Sequence, residues 1–168
     1  MHIAALAGTL LAITTGAQGA RAVSMATGDS EEWKIEGLAR PCSADAAECV
    51  WRFAVFRAAG AGGSRTACEH ALRALPDGTP ASRIRGSGAT LCVGQDDDHG
   101  GPYNYTVTSG WSDQFGDDPD KAFTTLSVID YDSGLLVYPS YTDAQVQDGK
   151  PVEPDRSYPV HLIPSKVD

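Results

Sequence analysis

The sequence predicts an all-β protein, a single antiparallel barrel or sandwich held by two disulfides. Three observations predict it. Short β-favouring runs alternate with clusters of Gly, Pro, Asp and Ser along most of the chain. A length of 168 residues suits one domain. The 4 cysteines, Cys42, Cys49, Cys68 and Cys92, form the even set of a secreted, disulfide-bonded chain.

The first stretch stands outside the fold. Ile3 to Ile13 is an apolar run too short to span a bilayer, and Ala20 and Ala22 supply the A-x-A pattern that signal peptidase accepts. One departure is that no Lys or Arg precedes the run, so only the α-amino group and His2 could serve as its positive flank. The expectation is a signal peptide over 1–22, a flexible segment over 23–32 and a secreted β domain over 33–168. No later apolar run is long enough for a transmembrane helix, so no membrane insertion is expected.

Strand elements then follow in order. "EEWKIEGL" alternates Trp33 and Ile35 with polar neighbours, and "CVWRFAVF" (Cys49 to Phe56) is rich in aromatic and β-branched residues. "TACEHAL" (Thr66 to Leu72) and "ATLCV" (Ala89 to Val93) each carry a cysteine. "YNYTVTS" (Tyr103 to Ser109), "AFTTLSVID" (Ala122 to Asp130), "LLVY" (Leu135 to Tyr138) and "YPVHLI" (Tyr158 to Ile163) complete the set. "DYDSG" reads as a hairpin connection with Gly134 at the positive-φ position. A helical turn is expected only over Thr142 to Val146, with Thr142 as its cap. "SGWSDQFG" (Ser109 to Gly116) reads as a turn that holds two large aromatics, Trp111 and Phe115.

A formal charge of -9, or -10 once Arg21 leaves with the signal peptide, argues against nucleic acid and anionic membranes as partners. Chain entropy does not choose among the three disulfide connectivities. The Cys42–Cys49, Cys68–Cys92 and Cys42–Cys92 loops are worth about 2.5, 3.5 and 4 kcal/mol. Cys42–Cys49 with Cys68–Cys92 is favoured because "PCSADAAEC" looks like a self-contained loop. The cysteines lack zinc-site spacing, so neither a metal nor a cofactor is expected.

Catalytic motifs are not assembled. "RGSGA" around Ser87 lacks the first glycine of a nucleophile elbow, "GAGGS" lacks the lysine of a phosphate loop, and Glu69–His70 has no second histidine. The acidic loops holding Asp96 to Asp98 and Asp117, Asp118 and Asp120 lack EF-hand spacing and read as solvated. His70 and His161 read as strand residues. Asn104–Tyr105–Thr106 is an N-glycosylation acceptor, and strand alternation turns Asn104, Thr106 and Thr108 away from Tyr103, Tyr105 and Val107.

"EEWKIEGLARPC", "CVWRF", "SGWSDQFG", "FTTLSVIDY", "YPSYTDAQV" and "PVEPDRSYPVHLIP", in that order, resemble the small secreted fungal hypersensitive-response-inducing protein elicitors, second type. The resemblance spans Trp33 to Pro164. It implies a β-barrel-like protein released by a plant-associated fungus into the host apoplast, which triggers cell death and defence without catalysis. A plant extracellular or cell-surface target is then the expected partner. Trp111, Phe115, Tyr138 and Tyr141 are its candidate binding residues, although Trp111 and Phe115 also suit a plug over the core, Trp111 the better of the two. The alternatives are a hydrolase using carboxylates such as Asp113, Asp130 or Asp143, and a glycan-binding module with an exposed planar row of Trp and Tyr.

Overall fold

Period-2 alternation of buried residues builds two antiparallel sheets that pack as a sandwich, in a computed structural model that describes residues 31–58, 62–94 and 103–163. The expected signal peptide and the Asp96–Asp98 loop lie outside the described residues. Strands β1 (Glu32–Ala39), β2 (Glu48–Arg57), β3 (Ser64–Arg73) and β9 (Arg156–Pro159) form the first sheet in the order β3-β2-β1-β9. Strands β4 (Thr90–Cys92), β5 (Tyr105–Ser112), β6 (Phe123–Asp130), β7 (Leu135–Val137) and β10 (His161–Leu162) form the second, in the order β10-β7-β6-β5-β4. The short β8 (Ser140–Thr142) also pairs with β6.

β2 and β3 pair over their full length, from Glu48↔Arg73 to Arg57↔Ser64. Cys49, Trp51, Phe53 and Val55 point inward from β2, and Thr66, Cys68, His70 and Leu72 from β3. Trp33 and Tyr105 meet edge to face across the sandwich, with ring centroids 5.1 Å apart. Fully burying an aromatic of this kind contributes about 2–3 kcal/mol, which a small domain with a limited core needs. Gly134 takes φ 68° in the β6–β7 connection, the left-handed conformation that lets this tight turn close.

The two open sides of the sandwich close differently. Disulfide Cys68–Cys92 ties edge strand β3 to edge strand β4, while Cys42–Cys49 closes the loop that enters β2. On the other side "YPVHLI" is not one strand. Pro159 has no N–H to donate, and after Val160, whose N–H reaches Glu31 O at 2.9 Å, the chain crosses to pair with β7. β9 and β10 thus belong to different sheets and lace that side shut.

A second difference concerns "SGWSDQFG". Trp111 is not in a turn: β5 runs on through it, because Tyr105, Val107, Ser109 and Trp111 continue one inward face. Gly110 permits this, since a Cβ there would sit 2.9 Å from the Arg85 carbonyl oxygen of the segment crossing beside β5. The expected helical turn forms as α1 (Asp143–Val146). Thr142 and Gln145 exchange side-chain and backbone hydrogen bonds in a capping box. Among the described residues no helix is long and apolar enough to cross a membrane.

Candidate functional site

Trp111 is 6% exposed, and its Nε1–H donates to Asp143 Oδ2 at 2.9 Å. Asp143, the first residue of α1, also pairs through Oδ1 with Arg40 at 3.0 Å. The Arg40 guanidinium lies 5.2 Å from the Trp51 ring centroid and is itself buried. Burial pulls its pKa below the ordinary arginine value, and Asp143 opposes that pull. Arg83 and Arg85 cover the Trp111 ring, each 5.3 Å from its centroid. Trp111 is therefore a core residue with a satisfied polar end.

Phe115 behaves oppositely. It is 69% exposed and stacks on Phe123, with centroids 6.0 Å apart and ring planes at 23°. These rings wall a groove of about 620 Å³ that runs round the β8 edge to β9, with Tyr141, Thr142, Gln145 and Arg156 completing it. Tyr141 is buried at its base, under the Arg156 guanidinium at 5.1 Å and beside Tyr158 at 6.3 Å. Burial, reinforced by the neighbouring Tyr158, pushes the Tyr141 hydroxyl well above its usual pKa, so it stays protonated. Tyr138 lies elsewhere, half exposed beside His161 at 6.1 Å. Of the four candidate aromatics, Phe115 and Tyr141 share the groove, Trp111 sits in the core and Tyr138 stands apart.

Phe123, Gln145 and Arg156 were not singled out by the sequence reading. A signal existed for one of them: Arg156 lies two residues before Tyr158, so strand alternation puts both on one face.

The outer faces of the two sheets differ sharply. On the first sheet, cross-strand ion pairs join Arg65 to Glu36, Arg52 to Glu69 and Arg73 to Glu48. On the second, β5 turns Thr106, Thr108, Gly110 and Ser112 outward, and β6 turns out Phe123, Thr125, Ser127 and Ile129. Ser140 and Thr142 of β8 continue this face toward the groove. None of these strand positions is charged, in a chain where 21% of residues are.

The carboxylates of the hydrolase alternative are each held by an arginine. Asp113 meets Arg85 at 2.9 Å, Asp130 meets Arg57 at 3.1 Å and Asp143 meets Arg40 at 3.0 Å. Asp130 is almost fully buried, and Arg57 also reaches Glu31 at 2.6 Å. All three tryptophans are buried, so they build no exposed planar row. Among the described residues no group of three or more His, Cys, Asp and Glu could hold a metal.

His70 closes the other end of the interior. It is 1% exposed, with Nδ1 2.8 Å from Thr90 Oγ1 and Nε2 3.0 Å from both Ser87 Oγ and Ser109 Oγ. Burial lowers its pKa below the ordinary 6.5, so the folded protein resists protonating it. Below that value the unfolded chain takes up a proton that the native site refuses. Stability from this group is therefore complete above pH 6.5 and falls as pH drops, by at most about 1.4 kcal/mol per unit. Urea midpoints at pH 7.5 and 5.5 should fall further for the wild type than for His70→Gln. Parallel falls would sink the assignment.

The fold and groove define a small, disulfide-clamped β-sandwich with one charged and one uncharged outer face. The family model described as Effector TSP1 matches residues 34–166. A relative named Effector TSP1, from Hypocrea virens (strain Gv29-8 / FGSC 10586), is 38% identical over 133 residues, covering 79% of this chain and 78% of its own. The chain belongs to the Effector TSP1 family, a family of fungal effectors, and that membership implies secretion.

Proposed function

We propose that the protein is a secreted elicitor that induces plant cell death and defence by binding a host extracellular or cell-surface target through the uncharged outer face of the second sheet. One observation carries this reading: the face is free of charge and ends at the exposed Phe115, whereas the opposite face is laced with ion pairs. An exposed, uncharged surface with an aromatic at its rim suits partner recognition. Membership in an effector family supports it independently. A hydrolase is less well supported, because the carboxylates it would use are engaged by arginines.

The test is infiltration of the oxidised mature chain, Val23 to Asp168, into leaf tissue beside a reduced and alkylated sample. The folded sample alone should cause cell death. Ser127→Lys, which places a charge at the centre of the face, and Phe115→Ala should each raise the effective dose roughly tenfold or more. No response to the folded sample across several hosts removes the elicitor reading.

Asn104 is proposed to carry a glycan at the far end of the same face. Its Oδ1 accepts from the Gly94 N–H at 3.3 Å, a bond that survives glycosylation, because the sugar replaces a hydrogen on Nδ2. The intact mass of the secreted protein should drop on N-glycosidase treatment. An unchanged mass would mean the sequon is unused.

A further inference from the structure

We propose that the groove between β8 and β9 binds a planar aromatic carboxylate, with the ring on Phe115 and the carboxylate on Arg156. Among the described residues, every Lys and Arg except Arg83 and Arg156 has a carboxylate within 4.0 Å. Arg83 lies over Trp111. Arg156 is left as the groove's cation without an acidic partner, in a chain whose formal charge is -9.

Arg156 is also held in place. Tyr141 lies 5.1 Å beneath its guanidinium and covers one face, leaving the N–H edge for a ligand. That planar fork matches the two oxygens of a carboxylate. The second requirement is met by Phe115, whose stack on Phe123 leaves it 69% exposed. A flat aromatic ring laid on Phe115 would extend the stack and bury that surface.

Size and charge narrow the occupant further. A volume of about 620 Å³ falls within the range of small-ligand sites, roughly 300–1,000 Å³, which combine apolar walls with a few oriented polar groups. The backbone N–H of Thr142 is taken by Gln145 Oε1 at 3.0 Å, which reduces what β8 offers an added peptide strand. Lys121 also faces the groove but is held by Asp118 at 2.8 Å, and Asp120 lies beside it. Asp118, Asp120 and Phe115 share one loop, so their charge directs a carboxylate away from that loop and toward Arg156 on β9.

The probe is cinnamate, titrated into the mature protein by calorimetry beside neutral cinnamamide. Cinnamate should bind about tenfold more tightly, the factor expected of a charge-assisted pair. Arg156→Gln should erase that preference, and Phe115→Ala should weaken both ligands alike. Thermal midpoints within a few degrees of wild type would establish that both variants fold. No saturable binding of cinnamate up to about 10 mM, several times the Kd a ligand of that size should show, overturns the proposal. Unchanged selectivity in Arg156→Gln also overturns it. If Arg156→Gln abolishes cell death while cinnamate fails to bind, the groove docks a host protein and the small-ligand proposal falls. If cinnamate binds selectively and leaf tissue never responds, the ligand site stands without the elicitor activity.

Discussion

Asp143→Ala is expected to destabilise the protein by about 3 kcal/mol, measured as a lower urea midpoint at constant m-value. Removing the carboxylate leaves the buried Arg40 guanidinium without its ion pair at 3.0 Å. It also strips the Trp111 Nε1–H of its acceptor at 2.9 Å. An uncompensated buried charge is the largest penalty a single substitution can expose here. The value sits at the low end of the usual range because Asp143 is partly open to solvent, with its side chain 15% exposed. The double variant Arg40→Met/Asp143→Ala separates the pair from simple loss of packing. It should recover most of the loss, because an apolar side chain of similar length needs no partner. A double variant as unstable as the sum of the two single ones would refute the account.

Replacing Cys68 and Cys92 together by alanine should cost about 3.5 kcal/mol, the loop-closure entropy returned to the unfolded chain. The bond joins edge strand β3 of one sheet to edge strand β4 of the other. β4 has three residues and pairs in its sheet only with β5, so little else anchors it. His70 and Thr90, each two residues from one of the cysteines, face each other across the same seam. Opening the seam should therefore also let water reach His70. The urea midpoint reads the first effect, and the His70 imidazole NMR shift against pH reads the second. The native imidazole pKa should rise toward the ordinary histidine value once the seam is open. An unchanged midpoint would mean that β4 is held by something other than the disulfide.

The strands were legible because alternation is local. β3 alternates buried and exposed over all ten residues, and its inward positions can be read without knowing their partners. The same holds for the β6–β7 hairpin and the capped turn at Thr142. Trp111 was harder to place. Ser109, Gly110 and Ser112 around it have turn composition, and only the Arg85 carbonyl pressed against Gly110 explains a glycine inside a strand. Tyr141 could not be sorted from Tyr138 at all. Both lie in the four residues "YPSY", yet one lies under Arg156 and the other faces solvent.

Composition, alternation and turn residues thus determined by themselves an all-β chain, its strand faces and its hairpin, because each depends on neighbours within a few residues. The tertiary structure decided which aromatics are buried and where a groove opens. Trp111 is in the core because Asp143 of α1, itself held by Arg40 just past β1, accepts from its polar end. The groove exists because β8 of one sheet comes beside β9 of the other, with the chain crossing between sheets at Val160. Contacts between residues this far apart leave no periodic trace in a single sequence, so packing alone fixes them.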